Sequence, residues 1–168
     1  MRKIRGIMMV VWVLLGIMVC AGSAFAANET GRDGRFVAYD DGTVLDTTTN
    51  LMWADKDNGV DIQWIAAKTF CENFSTGGYD DWRMPTKNEL AGLYSGSSRD
   101  AHGYHLATSL ISLTGCCPWT SDTCISMLPK YEMAGYYAFN LSFITGQSVC
   151  SQQGLDSDVR VLPVRFHR

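Results

Sequence analysis

The chain has 168 residues, of which 46% are hydrophobic and 18% are charged, and its formal net charge is −3 at pH 7. This length suits one domain with a real core, because a chain of about 150 residues buries roughly two-thirds of its unfolded surface. The acidic balance argues against nucleic acids, heparin-like polyanions and anionic lipids as partners, since each of these needs a basic patch on the protein.

The first 26 residues have the three parts of a secretory signal peptide. Basic residues stand at positions 2, 3 and 5, residues 7–19 are apolar apart from one glycine, and Ala24-Phe25-Ala26 is a small-x-small cleavage site. Cys20 is not expected to carry a lipid anchor, because a valine precedes it where a lipobox needs a small residue. We therefore expect a secreted or periplasmic protein, a single domain over residues 27–168, and no membrane span after cleavage.

Turn and strand signals alternate after this leader. Residues 28–34 are polar and are expected to be frayed, whereas residues 35–39, 43–46 and 51–53 are expected to form strands, with a hairpin turn at Asp40-Asp41-Gly42. Asp40, Asp41 and Asp46 invite a reading as a calcium loop, but they lack the regular alternation and final bidentate Glu of an EF-hand-type loop. No metal is expected there.

Residues 63–74 change to a helical period. Trp64, Ala67, Cys71 and Phe74 recur at spacings of three and four, which lays an apolar stripe along one face of a helix. The stripe indicates that Trp64 belongs to the core rather than to a ligand platform.

The strongest local signals lie midway along the chain. Pro85 closes off any helix running through it, and Thr86 followed by Glu89 is a capping box that begins a short second helix. Trp82 and Arg83 precede this cap, and we call the segment from Trp82 to Glu89 the elbow. We expect the elbow to be structural, with alanine at Trp82 or Arg83 destabilising the fold by roughly 2–4 kcal/mol and alanine at Glu89 by about 1 kcal/mol.

The segment 95–118 is long and irregular, with a turn or two of helix expected at residues 106–113. Loops of this length in a compact domain are usually functional or mobile. His102 and His105 lie in it and could join a carboxylate or thiolate of the same loop around zinc, but two histidines fall short of the three or four ligands that zinc needs.

Four short strands are predicted in the last third of the chain, at residues 119–122, 136–141, 147–151 and 159–165. Pro163 confines the last of them to a sheet edge or a bulge, because proline has no N–H to donate.

Six cysteines are present, and removal of Cys20 with the leader leaves an odd number in the exported chain. Export makes disulfides the expected state and leaves one thiol unpaired or available between chains. Strand order predicts a bridge between Cys124 and Cys150. Cys124 follows the strand at residues 119–122, Cys150 lies at the end of the strand that starts at residue 147, and these two strands point the same way on either side of residues 136–141.

A second bridge is expected from Cys71, which faces the core from its helix, to Cys116 or Cys117. These two neighbours are not expected to pair with each other, because disulfide geometry prefers Cα atoms roughly 4.4–6.8 Å apart. The one left over would be a free thiol and a route to a covalent homo-oligomer.

The run Gly-Gly-Tyr-x-Asp-Trp-Arg-Met-Pro-Thr-x-x-Glu-Leu at residues 77–90 resembles the signature of the Lcl C-terminal domain family. Other segments match in the family's order over roughly the whole exported chain. The residues that carry the resemblance are Trp53, Trp64, Trp82, Arg83, Pro85, Thr86, Glu89 and Arg165.

The resemblance implies an α+β, C-type-lectin-like fold in which two short helices pack on a twisted, mainly antiparallel sheet with long loops. It also implies a distant relation to formylglycine-generating enzymes and, for some members, binding of sulfated glycans, which the acidic charge argues against here. The family's usual partner for Cys71 is a cysteine in the last strand, where this chain has Leu162-Pro163.

No motif of an assembled catalytic site appears: there is no P-loop, no Gly-x-Ser-x-Gly and no His-Glu-x-x-His. The copper-binding cysteine pair of the formylglycine-generating relatives cannot be mapped onto this chain. We therefore expect neither an enzyme nor a cofactor.

The expected function is that of a binding module for a glycan or an envelope protein, as in adhesion. The alternatives are a structural subunit of a cell-envelope or surface assembly and a non-catalytic relative of the formylglycine-generating type. The expected ligand face combines the 95–118 loop with the excursions after Cys124 and Cys150. The candidate ligand-binding residues are Tyr104, Trp119, Asp122 and Tyr131.

Overall fold

The computed structural model describes residues 27–124, 136–155 and 157–168. The expected signal peptide, Cys20 and Tyr131 lie outside the described residues. The helices are α1 (Trp64–Glu72) and α2 (Lys87–Ala91), with a 3-10 turn at Thr76–Gly78 between them. The strands in the described ranges are β1 (Glu29–Asp33), β2 (Phe36–Tyr39), β3 (Thr43–Asp46), β4 (Leu51–Ala54), β5 (Cys117–Cys124), β6 (Tyr137–Leu141), β7 (Ser148–Gln152), β8 (Val159–Arg160) and β9 (Val164–Phe166).

These strands are divided between two sheets. One has the order β1-β2-β3-β4-β9, and all its pairs are antiparallel. The other has the order β7-β6-β5-β8, and only its β5–β8 pair is parallel. Two helices with mainly antiparallel strands are the α+β class that the sequence predicts.

Three expected elements differ from the structure. The lead-in at residues 28–34 is not frayed, since β1 pairs with β2 through its backbone while most of its polar side chains stay outside. No helix forms at residues 106–113, where Leu106, Ile111 and Leu113 are buried in the core as parts of a packed loop. The expected strand 159–165 divides at Leu162-Pro163 into β8 and β9, which join different sheets.

The core has two clusters of buried side chains. The larger cluster contains Trp53, Leu90 and Phe143 and is built from both sheets, α2 and the 95–116 loop. The smaller cluster contains Cys71 and Trp119 and lies where α1 meets β5 and β8. The elbow belongs to the second cluster through its buried residue Met84.

The cysteines pair only partly as expected. Cys124 and Cys150 form the predicted disulfide, with Cα atoms 6.1 Å apart. The expected bridge from Cys71 to Cys116 or Cys117 is wrong, because Cys116 and Cys117 are joined to each other and Cys71 is free. Cys71 is fully buried among apolar neighbours, and this burial raises the pKa of its thiol to about 12.

Across the ranges that the structure covers, no helix is long and apolar enough to span a membrane.

Candidate functional site

The elbow begins α2 with the capping box that its sequence predicts. The Thr86 hydroxyl accepts from the Glu89 N–H at 3.3 Å, while the Glu89 carboxylate accepts from the Thr86 N–H at 2.8 Å. Together these hydrogen bonds satisfy two backbone donors that would otherwise be unpaired at the helix start. The cap therefore fixes the position of the Glu89 carboxylate.

Arg83 and Trp82 anchor the elbow in opposite directions. The Trp82 ring is buried and its Nε1 donates to the Thr76 carbonyl at 3.1 Å. Arg83 exchanges two backbone hydrogen bonds with Val164 of β9, at 2.9 and 3.0 Å. Because neighbouring residues of an extended chain point to opposite sides, the Arg83 side chain faces outward and is 32% exposed.

Arg83 and Glu89 form a two-pronged ion pair at the surface. The two guanidinium nitrogens of Arg83 donate to the two carboxylate oxygens of Glu89 at 2.8 and 2.6 Å. Burial alone would raise the pKa of Glu89, but hydrogen bonds from Arg83 and Thr86 outweigh that effect and leave the pKa below its ordinary value. Glu89 is therefore ionised at neutral pH.

A cleft of about 470 Å³ opens beside this ion pair, and we call it the elbow cleft. Its apolar surface comes from Trp64, Met84 and Phe166. Phe166 is 52% exposed, and the Arg83 guanidinium lies 4.8 Å from the centre of its ring. Trp64 is half-buried, and its Nε1 donates to the Thr120 carbonyl at 2.8 Å, which holds the ring in place.

Every charged side chain that lines the elbow cleft has a partner of opposite charge in the same cleft. Lys68 and Glu72 lie one turn apart on α1, with Nζ and Oε1 separated by 4.0 Å, and Arg83 pairs with Glu89. Thr86 and Ser121 add hydroxyl groups to the lining. The cleft is therefore polar at its edges and electrically balanced.

The residues predicted to bind ligand do not lie in the elbow cleft. Trp119 lies in the core and not at a ligand face, because it is fully buried and its Nε1 donates to the Ile62 carbonyl at 2.8 Å. The carboxylate of Asp122 accepts from the Lys87 N–H at 2.5 Å at the start of α2, which is a structural contact.

Tyr104 is half-buried in the 95–118 loop, where its ring stacks on His102 with centroids 6.0 Å apart. Burial and, next, the nearby carboxylate of Asp100 raise the pKa of its phenol. Among the described residues, the hydrogen bonds and ring contacts of Tyr104 go to Asp100 and His102.

No group of three or more His, Cys, Asp or Glu side chains within the described ranges could hold a metal ion. The aspartates considered for calcium have other partners: Asp41 accepts from Thr43, and Asp46 lies 3.1 Å from the Arg35 guanidinium.

Sequence reasoning missed the contribution of Phe166 and of the α1 face to the cleft. Lys68 and Glu72 carry a local signal, since an oppositely charged pair four residues apart marks the exposed face of a helix. Phe166 carries the signal of its strand, because it alternates with the buried Arg165 and must face outward. Neither signal indicates that the two faces meet at the elbow.

A family model described as the Lcl C-terminal domain matches residues 42–165, which include both helices and all strands from β3 to β8. No curated protein is significantly similar to the chain.

Proposed function

This chain belongs to the Lcl C-terminal domain family, and we propose that it acts as a C-type-lectin-like binding module whose elbow cleft takes an uncharged glycan. The single observation that carries this proposal is the electrical balance of a cleft that also presents aromatic rings. A sulfated or phosphorylated ligand would need cations that are free to pair with it. In the elbow cleft Arg83 is held by Glu89 through two hydrogen bonds, and Lys68 has the Glu72 carboxylate 4.0 Å away.

The rings supply the apolar part of glycan recognition. One face of a sugar ring presents mainly C–H groups, which pack well against an aromatic ring. Phe166 is half exposed, and the hydrogen-bonded position of Trp64 gives the cleft a second ring that does not need ordering on binding. The paired side chains Arg83 and Glu89 and the hydroxyls of Thr86 and Ser121 can bind the sugar's hydroxyl groups around these rings.

Export to the periplasm or the medium is part of the same proposal. The leader pattern at residues 1–26 supports it, and so do the two disulfides, since such bonds persist in oxidising compartments. The proposal includes no catalytic step and no cofactor.

A glycan array with the purified protein tests the function. We expect binding to uncharged glycans and not to sulfated ones, and Phe166→Ala should weaken the binding about tenfold through lost ring contact. Tyr136→Ala is the matched control, because Tyr136 is also an exposed aromatic residue, at 63%, and does not line the elbow cleft. Binding only to sulfated glycans, or to none, would contradict the proposal.

A second candidate function is a subunit of an envelope or surface assembly, and strand β7 favours it. Among the described strands β7 is at the edge of its sheet, its residues Ser148–Gln152 are mostly exposed, and none of them is charged or a proline. Natural proteins usually protect such edges, because they can pair with a strand of another chain. A pull-down from envelope extract with Val149→Lys as the comparison tests this, since a lysine on the edge should abolish capture that uses β7.

A further inference from the structure

Cys116 and Cys117 join the long irregular loop to the start of β5, and they are bonded to each other. Their Cα atoms are 3.7 Å apart, as for any two residues joined by a trans peptide bond. This spacing is shorter than the roughly 4.4–6.8 Å that disulfides prefer, and a disulfide outside the preferred geometry is easier to reduce. The pair therefore has the chemistry of a bond that can open and close, and not that of a permanent cross-link.

The other disulfide provides a comparison on the same strand. Cys124 ends β5 and is bonded to Cys150 of β7, 26 positions further along the chain, with Cα atoms 6.1 Å apart. This spacing is ordinary, and closing a loop of this length constrains the unfolded chain more than a bond between neighbours does. The two disulfides lie at opposite ends of an eight-residue strand, roughly 20 Å apart at about 3.3 Å per residue, so each can react without the other.

Exposure to solvent predicts the opposite order of reduction. Cys150 is exposed, whereas Cys116 and Cys117 are both half-buried. A reductant that attacked the most accessible sulfur would open the bond between Cys124 and Cys150 first. Accessibility and bond geometry therefore predict different outcomes, which an experiment can separate.

The backbone around Cys116 and Cys117 is held by contacts other than the disulfide. The Cys116 carbonyl accepts from the Phe143 N–H at 2.8 Å, and Cys117 is paired with Val159 where β5 meets β8. Cys117 also packs against the smaller core cluster. Because the backbone contacts do not involve the sulfur–sulfur bond, the pair can be reduced and oxidised again while the protein stays folded.

Cys71 is the free thiol of the described residues, and it does not react with this pair at neutral pH. It is fully buried on α1, and this burial raises the pKa of its thiol to about 12. Only the thiolate form of a cysteine attacks a disulfide. The electrons that open the pair must therefore come from a thiol outside the protein.

We propose that Cys116 and Cys117 form a redox site that exchanges with an external dithiol, while the bond between Cys124 and Cys150 stays closed. A thiolate of the dithiol attacks one sulfur of the pair, which breaks the sulfur–sulfur bond, forms a mixed disulfide and releases the other cysteine as a thiolate that takes up a proton. The second thiol of the dithiol then displaces the remaining cysteine, so the dithiol becomes a disulfide. Two electrons and two protons pass to the pair. The proposal does not depend on the glycan function.

The test is an equilibrium titration of the exported protein, residues 27–168, in buffers with increasing ratios of reduced to oxidised dithiothreitol. Thiols are trapped by acid quenching and alkylation in denaturant, and chymotryptic cleavage after Trp119 separates Cys116 and Cys117 from Cys124. We expect the pair of neighbours to be half reduced at a ratio at least tenfold lower than the bond between Cys124 and Cys150. A tenfold difference is about 30 mV for this two-electron exchange.

The circular dichroism spectrum should be unchanged when only the first bond is open. The double variant Cys116→Ser/Cys117→Ser should lose the first transition and keep the second, and Cys71→Ala is the matched control that should alter neither. Reduction of both bonds at one ratio, earlier reduction of Cys124–Cys150, or unfolding at the first transition would overturn the inference. These readings come from the unaltered protein, so they decide the matter even where a variant fails to fold.

Discussion

Replacing Glu89 by alanine removes two interactions that share one carboxylate. The first is the cap on the Thr86 N–H, and losing a cap destabilises a protein by about 1 kcal/mol. The second is the ion pair with Arg83, whose side chains are 32% and 17% exposed, so solvent screening limits it to about 1 kcal/mol. We therefore expect Glu89→Ala to lower the free energy of unfolding by about 2 kcal/mol.

Arg83→Ala should be the milder change, at about 1 kcal/mol, since it leaves the cap in place and Glu89 can be hydrated. The sequence alone ranks these two substitutions in the opposite order, because it does not reveal that the guanidinium faces solvent. Urea unfolding of both variants and of the double variant gives the interaction energy directly, which should be about 0.5–1 kcal/mol. Additive effects, or a larger loss from Arg83→Ala than from Glu89→Ala, would refute this account of the elbow.

Three further predictions follow from single observations. Non-reducing peptide mapping should recover Cys124 joined to Cys150, and Cys71 should resist alkylation until the protein unfolds, because burial raises the pKa of its thiol to about 12. A hydrogen bond from Arg165 lowers the pKa of Asp81 below its ordinary 3.8, and burial raises the pKa of Glu89 but hydrogen bonds from Arg83 and Thr86 still leave it below 4.5. The stability that each ionised carboxylate contributes is therefore complete above its ordinary pKa and is lost as the pH falls through its lowered pKa. A titration of the melting temperature with acid should show this loss. Protein recovered from the periplasm or medium should begin at residue 27 or 28, and intact Met1 on exported protein would contradict the prediction of a cleaved signal peptide.

The elbow could be predicted from the sequence because its signals are local. A capping box requires only residues three apart, and Pro85 acts on its immediate neighbour. The turn before β3 is predictable for the same reason, since Gly42 has the positive φ of 80° that such a turn needs. These elements depend on the backbone of a few residues and on little else.

The role of each aromatic side chain could not be predicted in this way. Trp119 and Phe166 both lie in short strands, and nothing in the local pattern indicates which one is enclosed. The structure buries Trp119 because α1 packs against β5, whereas Phe166 ends β9 at the open side of the elbow. The cysteines show the same limit, since whether Cys71 can reach a partner depends on distances across the core that the sequence does not contain.

The C-terminal segment explains why one motif is both structural and part of the candidate site. β8 pairs with β5 in one sheet, and β9 pairs with β4 in the other. Val164, the first residue of β9, also exchanges hydrogen bonds with Arg83. Arg165 binds Asp81, the residue just before the elbow, with its Nε 2.5 Å from Oδ1. The next residue, Phe166, is thereby held at the lining of the elbow cleft. The contacts that stabilise the elbow are therefore the ones that orient the exposed ring, and substitutions there should change binding and stability together.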